Sequence, residues 1–237
     1  PSVRYSTGLF VFDDNGTIEN SSDDRKVFKP AFVYPETDNG QTVLMSVSPG
    51  AIYDVVQDKN NVVWVGTDAG PFLFYNPSRI FDPGYTCSRV KIPRNDNTGQ
   101  ADYLLQNEKI KAIAIDGANR KWLGTETSGV YLMSENGQET IRHFTTENSP
   151  LLSDDILSIA IHPVTGEVFF GTGRGIVSYQ SDALDAEAEF SNVHAYPNPV
   201  REGYSGTITI TGLVKDTQVK ITDLNGNLIC ETVSNGG

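Results

Sequence analysis

One short template occurs three times in this chain and once in part, and that repetition restricts the fold more than any other feature. The first full copy reads Ile52-Tyr53-Asp54-Val55-Val56-Gln57-Asp58; twelve residues after Ile52 comes Trp64-Val65-Gly66-Thr67, then Gly70. The second reads Ile110-Lys111-Ala112-Ile113-Ala114-Ile115-Asp116, with Trp122-Leu123-Gly124-Thr125 at the same distance and Gly129 beyond. The third runs over 156–161 and reaches Phe169-Phe170-Gly171-Thr172 after thirteen residues, then Gly175; its extra residue falls in the turn His162-Pro163-Val164-Thr165-Gly166. A partial copy opens the chain, where Gly8-Leu9-Phe10-Val11-Phe12 matches Gly129-Val130-Tyr131-Leu132.

Each copy reads as strand, tight turn, strand, Gly-Thr corner, strand. Ile113 and Ile115 alternate with Ala112 and Ala114, the period of two that a half-buried strand shows. The turns at 58–61 and 116–119 carry the Asp, Asn and Gly that tolerate tight or left-handed backbone. Glycine at 66, 124 and 171 is expected where strands crowd and a side chain would not fit. Outer strands are expected at about 88–92 and 140–144. Four short strands per copy, with long connections, describe a β-propeller blade. The expectation is an all-β chain: a partial β-propeller of about three and a half blades over 1–181. Such a piece leaves strand edges open, so it is expected to belong to a larger propeller whose missing blades lie upstream in a longer chain.

The pattern then changes. Residues 182–190 hold four acids and no base among 182–189 and read as an acidic linker. Tyr196-Pro197-Asn198-Pro199-Val200 is a stiff, extended entry, because proline fixes φ and biases its predecessor. Residues 207–211 alternate Thr and Ile. Val219-Lys220-Ile221-Thr222-Asp223 and Leu228-Ile229-Cys230-Glu231 flank Leu224-Asn225-Gly226-Asn227, whose Asn-Gly is a hairpin signal. Residues 191–237 are therefore read as the incomplete start of an Ig-like β-sandwich.

Isoleucines three apart leading to Asp, followed by Trp-x-Gly-Thr and a later Gly, resemble the two-component regulator propeller repeat. The resemblance covers roughly 1–181; the copies depart from it at Pro71, at Phe169 in place of Trp and at His162 in place of Asp. The tail, through 195–200, 208–213 and 219–229, resembles the C-terminal sandwich of proteins that use or serve the type IX secretion system. Propeller and tail together are similar to the PorZ-like envelope proteins. That resemblance implies a place in an attachment complex on the outer membrane surface, which processes cargo and links it to anionic lipopolysaccharide.

Charge narrows the partners. The 237 residues hold 18 Lys plus Arg against 30 Asp plus Glu, a net charge of −12, which disfavours nucleic acid. No apolar stretch reaches the roughly 18 residues of a membrane helix. Cys87 and Cys230 fall in different parts of the chain and are expected to stay unbridged.

Catalytic signals are sparse. His143, His162 and His194 lack metal-site spacing, and no Gly-x-Ser-x-Gly, His-Glu-x-x-His or Cys-x-x-Cys occurs. Gly171-Thr172-Gly173-Arg174-Gly175 looks like a phosphate loop, but the same corner recurs at Gly66 and Gly124, so it reads as a blade corner. Asp154-Asp155, before an inner strand, reads as solvated propeller rim. Residues 13–24 hold many oxygen donors without the EF-hand spacing and are weighed as a polar loop against a calcium site. No metal and no cofactor is assigned. Trp64 and Trp122 repeat at equivalent positions, which marks them as packing residues rather than sugar platforms.

The basic residues supply the one candidate binding site. Arg89, Lys91 and Arg94 alternate on one outer strand and its exit, Lys109 and Lys111 open the next blade, and Arg120-Lys121 occupy its turn. In an acidic protein, Arg89, Lys91, Arg94, Lys109 and Lys111 could form a local cationic patch for a sulfated, phosphorylated or uronic sugar; the competing account is an ordinary solvated strand. Three functions are weighed. The leading one is a non-catalytic, exported scaffold of the periplasm or outer-membrane surface, with protein partners in an envelope complex and anionic lipopolysaccharide or another glycan as ligand; the long 77–107 insertion is its expected contact region. The second is the oligosaccharide-sensing propeller of a hybrid two-component regulator. The third is a propeller lyase or hydrolase, for which no convergent acids, bases or metal ligands are found.

Overall fold

The computed structural model describes residues 7–38, 40–94, 100–184, 190, 193–206, 208–214 and 216–234. All of its long-range order is antiparallel sheet. The chain opens with β1 (Leu9–Asp13) paired to β2 (Arg25–Lys29), the third and outer strands of a blade, as the partial copy at 8–12 leads one to expect. A hairpin, β3 (Phe32–Asp38) and β4 (Gln41–Val47), follows before the next blade. That blade holds β5 (Ile52–Gln57), β6 (Val63–Thr67) and β7 (Gly70–Phe74). A second hairpin, β8 (Lys91–Pro93) and β9 (Ala101–Tyr103), separates it from the four-stranded blade β10 (Ile110–Ile115), β11 (Lys121–Thr125), β12 (Val130–Met133) and β13 (Thr140–Phe144). The last blade contributes β14 (Ile156–Ile161), β15 (Glu167–Thr172) and β16 (Gly175–Gln180). The first strands lie side by side, β10 beside both β5 and β14, as the inner strands of a propeller do.

The outer strand expected at 140–144 is present, whereas the one at 88–92 is reduced to a bridge between Leu73 and Ser88. Pro71 is the reason. Leu73 exchanges both backbone hydrogen bonds with Ser88, so the next outward-facing position on β7 is residue 71, and proline has no N–H to continue the ladder. The chain turns away and pairs 91–93 with 101–103 instead. The two hairpins were not visible in the repeat pattern. Nor was a bulge that recurs in every inner strand, between Ile52 and Asp54, Ile110 and Ala112, and Ile156 and Ser158.

Alternation along the second strand packs each blade on both sides. Trp64 faces forward, in a buried group with Val62, Leu73, Ile110, Ile113, Leu123 and Met133; Val65 faces back, among Phe32, Tyr34, Phe72 and Phe74. One blade on, Trp122 repeats the arrangement with Ile156, Val168 and Phe170. The glycines at 66 and 124 let the blades meet. A Cβ on Gly66 would lie 2.6 Å from the Ile110 carbonyl oxygen, and one on Gly124 would lie 2.6 Å from Ile156 Cγ2. Gly171 meets its own sheet instead, 2.4 Å from Ser158 Oγ.

In the tail, β17 (His194–Tyr196) pairs with β18 (Thr209–Thr211), and β19 (Gln218–Thr222) with β20 (Leu228–Val233). These ladders form the start of a β-sandwich. The Asn-Gly hairpin forms as expected, with Asp223 Oδ1 accepting the N–H groups of Asn225 and Asn227. The Tyr196-Pro197 and Asn198-Pro199 bonds are both cis. The acidic stretch at 185–189 and the glycines 236 and 237 lie outside the described residues. Cys87 is buried and Cys230 exposed, and neither is bridged. Burial pushes the Cys87 thiol up to about 12.

Candidate functional site

The repeat's Asp and Trp do one job together. Asp58 closes its turn by accepting the N–H groups of Asn60 (2.9 Å) and Val62 (3.0 Å) on Oδ1, while Oδ2 accepts Trp64 Nε1 at 3.1 Å. Asp116 does the same with Ala118, Arg120 and Trp122 Nε1. A buried indole N–H needs an acceptor and a buried carboxylate needs donors, so the two residues belong together. The third copy has Phe169 and His162, and there His162 Nδ1 accepts the turn N–H groups of Val164 at 3.3 Å and Thr165 at 3.1 Å. The corner behind Gly171 is likewise structural: Thr67, Thr125 and Thr172 hydroxyls donate to the carbonyls of Gly70, Gly129 and Gly175.

Lys121 is not a turn cation, as its place beside Arg120 suggests in sequence. It opens β11 with its side chain fully buried, and its Nζ lies 3.0 Å from Asp58 Oδ2 of the neighbouring blade and 2.7 Å from the Asn119 carbonyl oxygen. Burial alone would raise the Asp58 carboxyl. The hydrogen bonds from Lys121, Val62 and Trp64 outweigh burial and hold it below the usual carboxylate range. Because the folded value is depressed, the stability it contributes is present above the unfolded value of about 3.9 and is lost as pH falls through the folded one. Thermal melts between pH 6 and pH 2 should show that loss in the native sequence and a flatter profile in Asp58→Asn.

The five candidate cations fall in two places. Around the hairpins, Arg89 Nη2 donates to the Ala69 carbonyl at 2.7 Å, and its guanidinium lies over the rings of Tyr103 (4.2 Å), Phe72 (4.9 Å) and Tyr34 (5.7 Å). Its Nε is buried without a hydrogen-bond partner. Lys91 pairs with Glu36 across the hairpins, and Arg94 forks onto Asp102 with Nη1 on Gln100. The hydrogen bond from Lys91 lowers the Glu36 carboxyl, and that from Arg94 lowers Asp102. On the inner side, Lys109 pairs with Glu126 and Lys111 with Asp155, each at 2.6 Å. Each of the five thus has an intramolecular partner.

A cleft of about 640 Å³ opens between the hairpins, lined by Tyr34, Glu36, Thr37, Met45, Lys91, Gln100, Ala101 and Tyr103. Its tyrosine walls rest on the Arg89 guanidinium, so a partly exposed cation backs an aromatic surface. Sequence reasoning found Lys91 and Arg89 but missed Tyr34, Tyr103 and Glu36, because hairpins outside the repeat bring them together.

In the 13–24 loop the carboxylates serve the backbone and each other's neighbours. Asp13 pairs with Arg25 and accepts Asn15 N–H, Asp14 accepts Gly16 N–H, and Thr17 Oγ1 donates to Asp23. Among the described residues no group of three or more His, Cys, Asp or Glu is placed to hold a metal ion.

A family model described as "Two component regulator propeller" matches residues 46–69, the first full copy. The match is to a single copy of that repeat. Its whole length is similar to PorZ of Porphyromonas gingivalis, at 33% identity and a TM-score of 0.68, and covers 31% of that chain. PorZ is described as an essential bacterial surface component of the type-IX secretion system. The likeness takes in the blades and the tail together, and this chain spans about a third of PorZ's length. An extracellular domain assigned to a hybrid two component system of B. thetaiotaomicron matches 62% of the chain at 22% identity and a TM-score of 0.43, covering 18% of that domain. A structure assigned as a gluconolactonase matches 62% of the chain at 9% identity and a TM-score of 0.38, covering 44% of that structure. Neither of these two likenesses carries a functional argument. No curated protein sequence matches the chain. Among the described residues no helix is long and apolar enough to cross a membrane.

Proposed function

We propose that this chain is part of a non-catalytic surface scaffold serving a type IX secretion apparatus. The observation that carries the reading is the similarity to PorZ over the entire chain, blades and tail alike. On this reading the protein is exported to the periplasm or outer-membrane surface. Residues 1–181 supply rigid blades, 182–190 a linker, and 191–237 the start of a separate sandwich. Protein partners in an envelope complex dock on loops and hairpins that the propeller holds in place.

The same reading gives the cleft between the hairpins a ligand: an anionic glycan, lipopolysaccharide above all. Tyr34 and Tyr103 offer ring surface to a sugar, and Lys91 and Arg94 offer cations to its acidic groups. Lys91 and Arg94 already pair with Glu36 and Asp102, so the glycan has to compete with those carboxylates and binding is expected to weaken as salt rises. The test is binding of the full-length protein to anionic and neutral bacterial glycans, with Lys91→Glu and Arg94→Glu alongside. Salt-sensitive binding to anionic lipopolysaccharide, reduced at least about tenfold in either variant, supports the cleft; a tenfold loss corresponds to about 1.4 kcal/mol. Binding only to neutral oligosaccharides would favour a sensor, and no glycan binding would leave a protein-partner scaffold.

A further inference from the structure

The β3–β4 hairpin carries an open edge whose chemistry is unusual for a protein surface. Strand β4, Gln41-Thr42-Val43-Leu44-Met45-Ser46-Val47, has no charge, proline or glycine in seven residues, and its first six are exposed. Leu44 is 66% exposed and Met45 45%. Natural proteins usually blunt such edges with lysine, proline or a bulge.

Two observations fix which backbone groups face outward. Pro35 lies opposite Leu44 and has no N–H to give, and the Val33 carbonyl points away from β4 to accept Cys87 N–H at 2.8 Å. Positions 33 and 35 are therefore turned away from β4, and by alternation so are their partners Ser46 and Leu44 from β3, with Thr42 next in line. Thr42, Leu44 and Ser46 thus present their N–H and C=O groups to the open edge. Among the described residues nothing pairs with them.

We propose that β4 is a homodimer seam, on which a second copy of the chain adds its own β4 antiparallel about a two-fold axis through Leu44. In that register Leu44 faces Leu44 and Thr42 faces Ser46, so all three outward N–H groups and all three carbonyls find partners. Val43 meets Met45 on the opposite face, placing apolar on apolar. No like charges meet, because the strand has none. The strand is nearly palindromic in polarity about its centre, which suits an isologous contact, where one patch must complement itself. A seam of seven residues at about 3.4 Å each is about 24 Å long, at the small end of specific interfaces, so association is micromolar rather than nanomolar.

The test is sedimentation velocity of the full-length protein from about 1 to 100 µM. The native protein should shift from monomer to dimer across that range. Leu44→Lys and Leu44→Asp, each placing like charges opposite one another, should raise the dimer dissociation constant at least about tenfold. An equimolar mixture of the two variants should restore the dimer, an outcome that misfolding of either could not produce. A native protein that stays monomeric throughout, a dimer indifferent to both substitutions, or a mixture that remains monomeric would each overturn the proposal.

Discussion

Replacing Lys121 with Ala is expected to destabilise the propeller by about 3–5 kcal/mol, the usual cost of removing one partner of a buried ion pair. The ammonium is fully buried between two blades, pairs with Asp58, donates to the Asn119 carbonyl, and lies 5.2 Å from the centre of the Trp64 ring. Without it, Asp58 remains buried with only neutral donors. The other copies of the repeat place Val63 and Val168 where this one has Lys121, so an apolar residue fits the position; in the blade before Val168 the buried Asp116 is answered by Arg120 instead. Accordingly Lys121→Val combined with Asp58→Asn should recover part of the loss: no uncompensated charge is left behind, but one amide NH2 then faces an N–H that the carboxylate accepted. Chemical denaturation of the single and double variants checks both statements. A cost below about 1 kcal/mol for Lys121→Ala would mean that the pair behaves like an exposed one.

The propeller was legible because repetition multiplies a weak signal. One stretch of alternating residues could have been any strand, whereas three copies with Gly-Thr at the same distance from an Ile, to within one residue, identify a blade and its corners. What repetition cannot describe is whatever is not repeated. The β3–β4 and β8–β9 hairpins each occur once, and they supply the tyrosines and Glu36 of the cleft. The five basic residues were grouped by closeness in sequence, yet pleating and the turn at Pro71 divide them between the hairpins and the inner strands. Lys121 shows the same limit. Beside Arg120 it read as a surface turn residue, but register makes it the first residue of a buried strand, and its partner Asp58 lies 63 positions earlier in the chain. Charge pairing across blades follows from packing, which sequence spacing does not encode.

Trp122→Ala should cost about 3–5 kcal/mol, as large aromatic deletions in cores do. The indole is fully buried, stacked on Phe144 with ring centres 6.2 Å apart and tilted against Phe170 at 5.6 Å and Tyr179 at 5.8 Å. It therefore joins its own blade's outer strand to the blade that follows. Trp122→Phe separates the ring from its N–H. It keeps an aromatic ring at the position, the residue type that Phe169 supplies in the third copy, and removes one of the donors to Asp116. Arg120 Nε still donates to the same carboxylate oxygen at 2.7 Å, so the loss should stay near 1 kcal/mol. Asp116→Ala is the harsher change to the same pair. It strands the N–H groups of Ala118 and Arg120 and the indole N–H at once, leaves the Arg120 guanidinium only Asp182 and Ser181 as partners, and should cost at least as much as Trp122→Ala. Equilibrium unfolding of the three variants orders them. If Trp122→Phe proves as costly as Trp122→Ala, the hydrogen bond to Asp116 outweighs the ring packing.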